Sequence, residues 1–284
     1  MSKIKILVDS ACDMPVETAN EKNIRILPFK LTIDGENYIN DRFDITEEEF
    51  YKKLRETDAF PKTAQITPAG FEDVFREELE SADELIYVGL SSKASGTFNN
   101  ANLAKQIVEE ETGKKVHLVD GKMFSYGYGD AAVRAAEMAE SGMSAEEIVA
   151  KLEEILENTV TYFGVETLDY LKKGGRISTM SAIIGGMLDI RPVLKIYDGL
   201  VGAIDKVKGE KKLFMKMEEY MKAETEGLSD YRLTILTSDS EEKLNKMVEL
   251  AEKNNIKVHR TGLIGPVIGC HSGPGAFGFI IAKK

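Results

Sequence analysis

Two cysteines, Cys12 and Cys270, are all that this chain of 284 residues carries. They lie far apart in sequence and in no metal-ligand spacing, so no metal site is expected. The plain reading is two small buried apolar residues in a reducing cytoplasm, not a disulfide. Basic charge is also short, with a formal net charge of −11. Nucleic acid and anionic membrane both need a basic footprint, so neither is expected as the main partner. A small anionic ligand stays open, because a local site can be positive inside an acidic protein. No run approaches the roughly 20 apolar residues of a membrane span. The N-terminal apolar run ends at Asp9 and is too short for a signal-peptide core. A cytoplasmic protein without stable membrane insertion is expected.

Familiar catalytic equipment is missing too. No Walker glycine-lysine loop is present. Gly127-Tyr128-Gly129-Asp130-Ala131-Ala132 imitates a dinucleotide fingerprint, but it starts too far beyond the strand that ends at Asp120. No cofactor is therefore expected. There is no glycine-x-serine-x-glycine elbow. Cys270 and His271 are adjacent, and adjacent side chains rarely face each other, so they are not read as a dyad. Of three histidines, His117 and His259 fall in strand patterns, and only His271 sits in a glycine-rich loop where an imidazole can handle an anion or a proton.

What the chain does have is a hydroxyl-rich loop, Ser91-Ser92-Lys93-Ala94-Ser95-Gly96-Thr97, between an apolar run at 85–90 and a helical pattern at 98–108. Ser95 or Thr97 can cap that helix, and Gly96 lets the backbone approach a ligand. Free amides, hydroxyls and the helix dipole converge there, which suits an anion. The bland alternative is an ordinary strand-to-helix turn rich in capping residues.

Hydrophobic residues at 43% and charged residues at 30% fit a globular protein. Strands are predicted at 3–9, 24–33, 85–90 and 116–119, and helices at 47–55, from 67 onward, at 98–108, 128–139 and 145–157. Thr46 with Glu49, and Ser144 with Glu147, read as capping boxes. Residues 60–66 read as loop. This alternation predicts a mostly parallel sheet flanked by helices over residues 1–160. From about 161 to 284 the pattern changes to strands with hairpins, as at Asp198-Gly199, and helices near 210–222 and 241–253, the second capped by Ser238 with Glu241. An α+β domain with a mixed or antiparallel sheet is expected there. The fold class is α/β with two domains, and the cleft between them is the expected ligand site.

Two further segments stand out. Residues 264–278 hold five glycines and two prolines around His271 and read as irregular backbone. Residues 168–177 read as a helix with basic residues near its end and a glycine cap. Arg176, just past the double glycine, can pair with a carboxylate or phosphate.

Taken in order, Asp9-Ser10-Ala11-Cys12-Asp13, Lys62-Thr63-Ala64-Gln65 with Thr67-Pro68, Ser91 to Thr97, Leu171-Lys172-Lys173-Gly174-Gly175-Arg176-Ile177 and Gly265 to Gly275 resemble the DegV family of bacterial lipid-binding proteins. Thr63-Ala64-Gln65 departs from the family's threonine-serine-glutamine. The resemblance implies one long-chain fatty acid held between two α/β domains. It implies a carboxylate held by Thr63, Ser95, the loop at Gly96 and Thr97, and His271, with Arg176 as a further contact. It also implies a carrier, not itself an enzyme, that presents the fatty acid to a separate ATP-dependent fatty acid kinase subunit. The apolar candidates for the acyl slot are Ile183, Ile184, Met187, Leu188, Ile190, Phe277 and Ile280, each of which is equally readable as core. The alternatives are a stand-alone hydrolase or transferase using His271, and a lipid-sensing regulatory module.

Overall fold

A computed structural model describes residues 2–177 and 189–283. The chain opens with β1 (Ile4–Asp9), a 3-10 turn at Ser10–Cys12, α1 (Val16–Glu21) and β2 (Ile24–Leu27). The single strand predicted over 24–33 is in fact two. Pro28 follows β2, and the continuation, β3 (Lys30–Thr32), enters a separate small sheet with β4 (Ile39–Asn40) and β5 (Lys62–Ala64). Proline has no amide to give a ladder, so the break falls there. β5 was expected as loop; it pairs antiparallel with β3, Leu31 opposite Thr63. Between β4 and β5 lies α2 (Glu47–Glu56), opened by the Thr46–Glu49 capping box. Then come α3 (Pro68–Leu79), β6 (Glu84–Gly89), α4 (Thr97–Thr112), β7 (Lys115–Asp120), α5 (Tyr126–Glu140) and α6 (Ala145–Glu157). The Ser144–Glu147 capping box opens α6.

Strands β2-β1-β6-β7 form a four-stranded sheet, every pair parallel. Parallel strands covered on both faces read as near-continuous apolar runs, and β1 and β6 do so. Ile6 to Val8 and Leu85 to Val88 are buried.

The rest of the chain builds a second sheet. Its elements are β8 (Thr159–Gly164), α7 (Asp169–Gly174), β9 (Ile190–Tyr197), β10 (Leu200–Lys208), α8 (Glu210–Thr225), β11 (Tyr231–Thr237), α9 (Glu241–Lys253), β12 (Val258–Leu263), α10 (Pro266–Ser272) and β13 (Phe277–Lys283). The order is β10-β9-β8-β13-β11-β12, mixed, with only β11 and β12 parallel. Two details correct the sequence reading. The N-cap of α9 is Ser240, which accepts from the Lys243 amide, while Ser238 donates to the Ala276 carbonyl. Residues 266–272 are helical rather than irregular, because Pro266 at the first helical position lacks only an amide that would be free anyway.

The mixed sheet has two different faces, set by the period of two along each strand. On one face Tyr162, Phe277, Phe279 and Ile281 pack with Phe214 and Met217 of α8 and Met247 of α9. The opposite face looks toward the carboxyl ends of the parallel strands, the edge where open α/β sheets bind ligands.

Candidate ligand site

A cavity lies between that face and those strand ends. Register explains its wall. Val201 pairs with Ile196, Ile196 with Thr161, and Thr161 with Ile280, giving one row of side chains across β10, β9, β8 and β13. Leu236, Gly278 and Phe163 form a second row across β11, β13 and β8. All seven line the cavity. Phe29 just after β2, Leu90 just after β6 and Phe124 just before α5 close the facing side, with Val267 and Ile268 of α10.

Polar groups gather in one part of this lining. Thr63 Oγ1 and His271 Nε2 share a hydrogen bond at 3.1 Å. Arg176 donates through Nε to the Ala94 carbonyl at 3.3 Å and through Nη1 to the Gly174 carbonyl. Ser95 and Gln65 line the same cavity. Burial drives the His271 imidazole down to about 4, and the nearby Arg176 guanidinium adds to the shift. The imidazole is therefore neutral near pH 7, and the cation at this site is Arg176. The group has a fixed positive charge, hydroxyls and an uncharged ring beside an apolar slot, which suits one carboxylate.

The double glycine before Arg176 serves two needs. A Cβ on Gly174 would lie 2.5 Å from His271 Nδ1, so only glycine leaves room for the ring. Gly175 is left-handed, φ +68°, and ends α7 so that the chain turns Arg176 back toward residue 94. Gly174→Ala is expected to push the imidazole off Thr63 toward solvent. An NMR titration should then show the His271 pKa rising by at least about one unit as desolvation is relieved. A titration near 4 in both proteins would contradict this.

The structure separates the other sequence candidates. Gly96 is the N-cap of α4, and Thr97 is its first residue, fully buried; neither lines the cavity. The Ser95 hydroxyl lies 2.9 Å from Thr97 Oγ1 and accepts from the Thr97 amide, so Thr97 acts on Ser95 rather than on the cavity. Ile280 faces the cavity. Phe277 does not, because it lies on the opposite face of β13, stacked on Phe214. Ile190 begins β9 away from the slot, beside Val165 and Pro192. Ile183, Ile184, Met187 and Leu188 lie outside the described residues.

Sequence reasoning missed Gln65, whose Oε1 accepts from Asn100 and whose side chain lies against Gly96. It also missed a cluster at the other end of the parallel sheet, where Glu84, His117 and Glu146 place their ligand atoms within 4.8 Å of one another. Spacing could not reveal it, since the three come from β6, β7 and α6. There His117 Nε2 is hydrogen-bonded to Glu84 at 2.9 Å and Lys115 pairs with Glu146 at 3.2 Å, so each carboxylate already has a partner. Among the described residues no helix is long and apolar enough to cross a membrane.

Residues 3–284 match the model of the family described as "Uncharacterised protein, DegV family". A DegV domain-containing protein of Caldanaerobacter subterraneus is 36% identical, with both chains fully covered. Among solved structures, a DegV family protein from Thermus thermophilus, described by its fatty acid binding, superposes with a TM-score of 0.91 at 34% identity, covering 99% of this chain and 100% of that one. A stearic acid-binding protein from Eubacterium ventriosum also reaches 0.91, at 29% identity, covering 99% and 98%. With the family model matched along nearly its whole length, the chain belongs to the DegV family.

Proposed function

We propose that this protein is a carrier that binds one long-chain fatty acid and presents its carboxylate to a separate ATP-dependent kinase subunit, which forms the acyl phosphate. The observation that carries the reading is an apolar slot with Thr63, Ser95, His271 and Arg176 grouped in its lining. The carboxylate is assigned to that group and the tail to the two side-chain rows. Relatives described as fatty acid binding, one of them with stearic acid, support the ligand class. A tail of about 14 methylenes at about 0.8 kcal/mol each contributes roughly 11 kcal/mol before association costs of about 4–15 kcal/mol. The tail therefore supplies most of the affinity, and the polar cluster supplies orientation.

The hydrogen bonds speak against a serine–histidine hydrolase. The partner of His271 Nε2 is Thr63, and Ser95 is bonded to Thr97. The acyl-phosphate chemistry is accordingly assigned to the partner.

Equilibrium dialysis with palmitate tests the binding half; saturation at one per chain is expected, and no binding would overturn it. For the presentation half, Thr63→Ala and Ser95→Ala are expected to cut acyl-phosphate formation by a reconstituted kinase at least about tenfold. Palmitate affinity should fall about tenfold, the loss of one hydrogen bond to a charged group, so acyl-phosphate formation is compared at saturating palmitate. Undiminished acyl-phosphate formation by both variants would count against the assigned head-group site.

A further inference from the structure

The opening motif Asp9-Ser10-Ala11-Cys12-Asp13 lines no part of the cavity, yet its polar groups reach four segments of the cavity wall. Asp9 accepts from the Leu90 amide at 2.9 Å and from the hydroxyls of Tyr87 and Tyr128 at 2.7 and 2.6 Å. Ser10 Oγ accepts from the Phe29 amide at 3.0 Å. Asp13 Oδ2 accepts from the Ser125 hydroxyl, and Oδ1 lies against Gly265, the N-cap of α10. Leu90, Phe29 and Ser125 all line the cavity, and so do Ile264 and Val267 on either side of the Gly265 turn.

Holding these carboxylates there is costly. Asp9, Ser10 and Asp13 are all buried. Burial raises the carboxyls of both aspartates, Asp13 to about 6, against the opposing effects of Arg42, Ser125 and the Gly265 amide on Asp13. The backbone around the turn is strained as well. Asp13 is left-handed, φ +51°, and Ser125 sits at φ +54°, ψ −148°, a region that residues other than glycine rarely occupy. Strain and buried charge of this kind persist only where the surroundings fix them, and here the bonds to the Leu90 and Phe29 amides and to the Ser125 hydroxyl all end on the wall of one cavity.

We infer that the turn over residues 9–13 is a positioning hub for the acyl slot, with Asp13 holding the Ser125 wall and the start of α10 at the separation that a fatty-acid tail requires. The inference rests on the fatty-acid reading of the cavity. Asp13 touches no ligand; it acts through Ser125 and Gly265.

A general structural role would weaken every ligand alike, whereas a wall-positioning role changes how affinity grows with tail length. The test is the ratio of palmitate to laurate affinity, measured by equilibrium dialysis on the full chain after lipid removal. Four extra methylenes should give the wild type a ratio of roughly two-hundredfold. In Asp13→Asn, which keeps the shape and turns the charged bond from Ser125 into a weaker neutral one, the ratio should fall to about tenfold or less. His271→Gln should lower both affinities and leave the ratio unchanged. Should Asp13→Asn fail to fold, Ser125→Ala removes the same bond from the other side and should lower the ratio in the same direction. A ratio within about twofold of the wild type in the folded variant overturns the hub alone. A wild-type protein that binds neither acid overturns the fatty-acid reading, and the hub with it.

Discussion

Ile280→Phe is expected to cost about a hundredfold in palmitate affinity, and to leave the melting temperature of the lipid-free protein within about 2 °C of the wild type. Ile280 is buried in β13, between Thr161 of β8 and Thr234 of β11, with its side chain in the cavity lining. A phenyl ring there grows into the slot rather than into packed core, so the usual overpacking penalty of about 1–3 kcal/mol is avoided. It takes the room of about three methylenes of tail, each worth about 0.8 kcal/mol, and a steric remainder brings the loss near 2.7 kcal/mol. Titration with palmitate and a thermal melt of each protein check both halves. Undiminished affinity would mean that the tail does not run along this row.

Removing bound lipid is expected to lower the melting temperature by about 10 °C, and added palmitate should restore it. A ligand present at about a thousand times its dissociation constant stabilises the fold by about 4 kcal/mol. Each kcal/mol shifts the midpoint by about 2–4 °C for a chain of this size. The cause is local. Phe29, Leu90, Ile264 and Ile280 face the slot from both sides of the molecule. A bound tail gives them contact partners that an empty slot lacks. A melt that does not respond to stripping and readdition would contradict this coupling.

The parallel sheet was legible because β1 and β6 are apolar along their length, and α2 and α6 because their capping boxes are local in sequence. Thr63, Ser95, Arg176 and His271 were legible as a set only through the order of short motifs that resembles a family. Read residue by residue, Thr63 is a lone loop threonine and Ser95 a helix cap, while His271 and Arg176 are separate anion-binding candidates with nothing local to join them. What escaped was set by register. Phe277 and Ile280 are an odd number of residues apart on one strand, so they cannot share a face. Alternation decides against treating both as lining, but it does not say which face holds the slot; pairing with β8 does. The α10 helix escaped because glycine and proline were read as breakers, whereas Pro266 stands at the one helical position that tolerates it. Gln65 escaped because its neighbours, Gly96 and Asn100, lie on a different element.

The central claim is that the slot holds a fatty acid, and the most direct measurement is organic extraction of the purified chain followed by mass spectrometry. The extract should contain a long-chain fatty acid at about one per chain. An empty extract, together with no uptake of added palmitate, would contradict the account.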